Sequence, residues 1–219
     1  MATWGAHIRI AENLLNLGLN LDEEAFLVGN LAPDCNQPNE DWTEFEPPKN
    51  VTHWYNENDR IDSEKFYNSY LKKDYRNKEE ESFLIGYYAH LISDIEWSKM
   101  MKNQKKNKDI YEKFETDKSL ISKVKEDWYD LDHLYFKNNK ESIFYRVLKN
   151  TDKFPDYLYY YPTNAIMTKL KYIINFYDTF EGDLDREYKY LTEEEMDRYV
   201  DATTKVVACI FREREIIAK

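Results

Sequence analysis

Apolar positions recur at helical spacing along most of the chain, and no long segment alternates with a period of two. The first stretch carries Ile8, Ile10, Ala11, Leu14, Leu15 and Leu17, with Thr3 placed to cap a helix and Gly18 to end it. A second, short run through Phe26, Leu27, Gly29 and Leu31 follows a capping Asp22. Pro33 is expected to stop it and to leave Asp34 just beyond its C-terminus. Residues 35–50 hold three of the six prolines and read as a long loop. Asp62 and Ser63 open a helix through Phe66, Tyr70 and Leu71, and a long one is expected over Lys78–Met101. Further helices are expected over Asp109–Lys137, with room for one break, then over Asn138–Leu148 and Asn164–Phe180. Lys153–Pro162 reads as an aromatic loop. The run Thr192-Glu193-Glu194-Glu195 has the form of a capping box and starts a last helix reaching Ile217. No repeat, low-complexity linker or domain boundary interrupts the pattern. The expectation is an all-α fold, one multi-helix bundle over residues 1–219.

One helix departs from simple amphipathicity. Residues 83–97, Phe-Leu-Ile-Gly-Tyr-Tyr-Ala-His-Leu-Ile-Ser-Asp-Ile-Glu-Trp, are apolar enough to be buried. Yet His90 and Asp94 sit four residues apart, on one helical face, with Gly86 one turn earlier. An imidazole and a carboxylate in an apolar helix are costly unless something satisfies them. A divalent metal does so, and so does a buried hydrogen bond between the pair.

Composition narrows the picture. The chain has 219 residues, 33% of them charged and 42% hydrophobic, enough for a globular core. Its 19 tyrosines and 11 phenylalanines suit long helices whose ends reach water. The net charge of −11 argues against a nucleic-acid partner or an anionic membrane. The basic run Lys99–Lys108 reads as an exposed loop. Cys35 and Cys209 are far apart and form no CxxC, so no disulfide framework is expected and a cytoplasmic setting is the default. The opening MATWGAHIRIAENLL lacks the form of a secretory leader, and no apolar run reaches transmembrane length.

Histidine is scarce, and three of the four, His7, His53 and His90, fall in the first ninety residues among aromatic or apolar neighbours. Asp34 follows an apolar helix in Leu31-Ala32-Pro33-Asp34. Helical bundles build metal sites in this way, from side chains on facing helices and adjoining loops. His7 reads equally well as a structural residue, whereas His133 in its polar, acidic segment reads more readily as structural than as a ligand, and Cys35 as a small buried residue more readily than as a soft ligand.

Four pieces in order carry a resemblance: His7 ahead of an amphipathic helix, Asp34 in LAPD, His53 in THWYNEND, and His90 with Asp94 in GYYAHLISD. Together they resemble the zinc-dependent phospholipase C family, all-α metallohydrolases related in fold to the P1-type nucleases. The resemblance implies that Asp34, His53, His90 and Asp94 coordinate one zinc, that Asp94 bridges to a second metal, and that His7 is a ligand at an additional site. The family places another His shortly after this Asp, whereas Ile95–Met101 contains none. It also carries a downstream H-x3-E, whose nearest counterpart here is the acidic stretch Glu126–His133, with Asp130 as the candidate ligand. One or two ions of Zn2+ are therefore expected.

The activity implied is phosphoester hydrolysis, on a small phosphoester or a phospholipid, by water that the metal activates and Asp34 orients or deprotonates. Trp54 and Tyr55 are candidates to hold an apolar or base-like part of the substrate. The alternative is a non-catalytic helical binding or scaffold protein that keeps a partial metal site. An HD-type phosphohydrolase ranks lower, because no His-Asp dipeptide occurs.

Overall fold

The computed structural model of the chain describes residues 1–41, 43–111 and 120–216. Thr3 caps α1 (Trp4–Leu15), its hydroxyl accepting from the Ala6 amide at 3.2 Å. Asp22 caps α2 (Glu23–Leu31) in the same way through Ala25. Side-chain caps of this kind satisfy amides that the first helical turn leaves without partners. Pro33 does not stop the chain at α2. Ala32–Asp34 continues as a 3-10 turn with the proline in its first positions, where its missing N–H costs little.

The expected loop at 35–50 holds more structure than its prolines suggested. Gln37–Pro38 (β1) pairs antiparallel with Phe45–Glu46 (β2), Gln37 opposite Glu46, and a short helix, α3 (Lys49–Thr52), leads directly to His53. The next helix, α4 (Ser63–Phe66), runs into a π turn at Tyr67–Leu71.

The long helix, α5 (Lys78–Asn107), continues past Met101, so the basic run is mostly the helix end and not a loop. Lysines there oppose the negative pole of the helix, which favours the extension. Ser82 to Asp94 is buried without interruption, the mark of a helix surrounded by its neighbours. α2 packs on α5 more extensively than any other helix pair among the described residues. Glycines permit it: a methyl group on Gly29 would overlap the Phe83 carbonyl, and one on Gly86 the Phe26 carbonyl.

Asp109–Tyr111 forms a 3-10 turn, and residues 112–119, part of the helix expected from Asp109, lie outside the described residues. α6 (Leu120–Asn138) follows, then α7 (Ile143–Arg146), α8 (Ala165–Asp178) and α9 (Glu193–Glu213). Thr192 and Glu195 form the expected capping box. The expected end at Ile217 lies outside the described residues. α9 packs on α1 and α5, and among the described residues α1 is contacted by α2, α5, α6, α7 and α9. The fold is all-α apart from the small ribbon, and none of the described helices is long and apolar enough to cross a membrane.

Candidate metal centre

Four elements deliver five donors to one buried spot. α1 brings His7, the 3-10 turn brings Asp34, the end of α3 brings His53, and α5 brings His90 and Asp94. His7, His53, His90 and Asp94 are fully buried, and Asp34 is 6% exposed. His53 Nε2 stands 3.5 Å from Asp34 Oδ1, 3.4 Å from Asp94 Oδ2 and 3.3 Å from His90 Nε2. His90 Nε2 is 3.5 Å from Asp94 Oδ2, and His7 Nε2 is 3.4 Å from Asp94 Oδ1. The His7 and His90 rings stack with centroids 3.8 Å apart.

The far side of each central imidazole is anchored. His90 Nδ1 donates to the Asn30 carbonyl at 2.7 Å, which leaves the Nε2 lone pair turned to the cluster. His53 Nδ1 lies 3.0 Å from Thr52 Oγ1, whose hydroxyl donates to the Lys49 carbonyl. Thr52 therefore accepts the imidazole proton, and His53 Nε2 also faces inward. Asn30 in turn bonds the Gly86 carbonyl at 3.2 Å, so the α2–α5 contact and the ring orientation are one arrangement.

The electrostatics do not close on protein groups alone. Burial alone would raise both carboxyls, but the surrounding imidazoles hold Asp34 and Asp94 well below the usual carboxylate range. Burial opposes charge on His53, yet Asp34 and Asp94 together raise it to about 9. Burial, and then the neighbouring His90, lower His7 to about 4. Both nitrogens of His7 and Asp94 Oδ2 are buried without a hydrogen-bond partner. Each such atom costs roughly 1–3 kcal/mol. A divalent cation would satisfy them together, and the donors fit one. Asp34, His53 and His90 form one set and His7, His90 and Asp94 another, with the ligating atoms of each set within 4.8 Å of one another.

Three sequence candidates lie elsewhere. Asp130 is not brought to this cluster: Arg186 binds its Oδ2 through Nε at 2.9 Å and Nη2 at 2.6 Å, and also binds Asp127 at 2.6 Å. A bidentate guanidinium satisfies the carboxylate on that flank of α6. His133 stacks on Phe180 at 3.7 Å, and burial lowers it to about 4. Cys35 Sγ donates to the Leu31 carbonyl, and burial pushes its thiol up.

A cleft of about 690 Å³ opens beside Asp34. Neither Trp54 nor Tyr55 is among the described residues lining it. Trp54 packs edge-on against Phe66 and Tyr70. Tyr55 is placed edge-on to His53, with ring centroids 6.3 Å apart.

Sequence reasoning passed over Asp132. It is buried on α6 and accepts from Thr3 Oγ1 at 2.8 Å, Gly5 N at 3.2 Å and the Tyr177 hydroxyl at 2.7 Å. Burial raises it to about 7 despite those bonds. It fixes the start of α1, and the Ala2 amide donates to Asp94 Oδ1 at 2.6 Å just ahead of it. The available signal was its position between Leu131 and Phe136 on the apolar side of α6.

No curated protein and no solved structure matches this chain. The sequence model of one family, zinc dependent phospholipase C, matches residues 6–151, a segment that contains all five donors.

Proposed function

The chain belongs to the zinc-dependent phospholipase C family, and on that premise we propose that it hydrolyses phosphoesters at the buried His/Asp cluster. One observation carries the reading: two imidazoles anchored from behind turn their Nε2 atoms toward two ionised carboxylates and a third imidazole. The family and the donor chemistry agree on Zn2+ as the cofactor. Asp34, His53, His90 and Asp94 would hold one ion, and His7 with Asp94 a second.

Bound zinc supplies a Lewis acid for a phosphoryl oxygen and makes a coordinated water acidic near neutral pH. The chain's own residues do the rest. Asp34 stays ionised at neutral pH and borders the cleft, so it is the group placed to orient the attacking water and accept its proton. Asn30 and Thr52 keep His90 and His53 in the tautomers that ligation needs. Burial keeps bulk water from competing. The substrate is a small phosphoester or a phospholipid.

A second reading is a helical scaffold that retains a metal without turnover. It is favoured by the absence of histidine between His90 and His133. Protein purified without an affinity tag of histidines should contain zinc and hydrolyse bis(4-nitrophenyl) phosphate, and chelation should remove that activity. His90→Ala should weaken zinc binding roughly 100-fold or more and abolish hydrolysis with it. Zinc bound in full with no ester turned over would leave only the scaffold.

A further inference from the structure

Among its described lining residues, the cleft beside the donor cluster carries more basic than acidic side chains, opposite to the balance of the whole chain. The net charge is −11, yet Lys49, Lys125 and Lys169 all line this cleft. Among its described lining residues Asp34 is the sole carboxylate, and it is turned to His53 in the cluster, where a bound cation would take up its charge.

Lys169, on α8, is the innermost of the three and is 4% exposed. Its ammonium lies 5.2 Å from the Trp4 ring centroid and 4.8 Å from that of Tyr172. Those two rings meet edge to face with centroids 5.9 Å apart. An aromatic corner of this kind attracts cations. Here the chain's own ammonium faces it, so a ligand bearing a quaternary ammonium would meet like charge in place of open ring faces. Lys49 adds a second charge, 4.7 Å from the Phe45 ring. Its proximity, after burial itself, lowers the Lys169 amine, while Cys35 and Asp34 oppose that shift.

Asn36 supplies an independent observation. It lines the same cleft, is 2% exposed, and its amide nitrogen has no hydrogen-bond partner. A buried donor of this kind is costly until an acceptor arrives.

We propose that the cleft receives the part of the substrate beyond the scissile phosphate and that this part is anionic. The substrate class is then a phosphoester with a second phosphate or carboxylate, in place of one with a quaternary ammonium headgroup. The lysines attract the second anion, Asn36 donates to it, and Lys169 repels a cationic competitor. The inference takes the site of the first phosphate from the hydrolase reading, but its charge preference is measured by binding alone.

Calorimetric titration of the zinc-loaded protein with 2-carboxyethyl phosphate, ethyl phosphate and phosphocholine tests it. The carboxyethyl compound should bind about tenfold tighter than phosphocholine, a preference that shrinks as salt is raised. Lys169→Met and Lys49→Met should each cut that ratio roughly threefold or more. Lys125→Met, at an exposed position, carries the same test should Lys169→Met fail to fold. Equal or tighter binding of phosphocholine, binding of neither compound, or an unchanged ratio in the variants would overturn the inference. The 4-nitrophenyl diesters of the same three alcohols are then assayed for turnover. Preferential binding without turnover overturns the hydrolase reading and leaves the charge preference standing.

Discussion

At the residue scale the cluster keeps both nitrogens of His7 and Asp94 Oδ2 buried without a hydrogen-bond partner, a state that a divalent cation would resolve. His53 is raised to about 9, so in metal-free protein at pH 7.5 it carries a proton between Asp34 and Asp94. A histidine raised on folding stabilises the fold fully below its unfolded value near 6.5. That contribution is lost as pH rises through about 9. Zinc must displace the proton to reach Nε2, so binding at pH 7.5 should release about one proton. Titration in two buffers of different ionisation enthalpy measures this, and release close to zero would remove His53 from the ligand set. The types and spacing of His90, Asp94, His53 and Asp34 were readable because such residues are rare in apolar surroundings. Asp130 misled because several acids share α6, and spacing alone does not say which flank faces Arg186. Asp132 hid for the opposite reason: a carboxyl on an apolar face resembles an error in the pattern until Thr3, Gly5 and Tyr177 are seen around it.

At the element scale, the approach of α2 to α5 sets the site. Gly86 lets the Phe26 carbonyl pass close, and Asn30 on the same turn of α2 accepts from His90. Gly86→Ala should therefore act twice. Overpacking should cost roughly 1–3 kcal/mol of stability, read by urea unfolding. The displaced Asn30 carbonyl should lower zinc affinity roughly tenfold or more. A variant with weakened stability but unchanged affinity would show that His90 is oriented by something other than this contact. Helix existence followed from caps and period at Thr3, Asp22 and Thr192, where the signals are local. Helix ends were less legible: Asn107 and the 3-10 turn at Ala32–Asp34 depend on neighbours as much as on propensity. The ribbon at residues 37–46 has only two residues per strand, too few to show a period.

For the molecule as a whole, the donors come from positions 7 to 94 and join four elements that would otherwise meet only through packing. A ligand that binds only the folded chain stabilises it by about 2.7 kcal/mol at a hundred times its Kd. For a chain of this length that corresponds to roughly 5–10 °C in Tm. Zinc should raise the melting temperature by about that much, chelation should reverse it, and scanning calorimetry reads both. No shift at saturating zinc would mean that the ion does not bridge these elements.

The order of residues alone determined the helical class, the main caps, and the donors His7, Asp34, His53, His90 and Asp94 as candidates, because each rests on local spacing or on the rarity of a residue in its surroundings. Only the tertiary structure decided that these five meet, that Asp130 goes to Arg186, and that three lysines of an acidic chain line one cleft. Those facts depend on distances between segments far apart in sequence, which packing sets and no periodicity encodes.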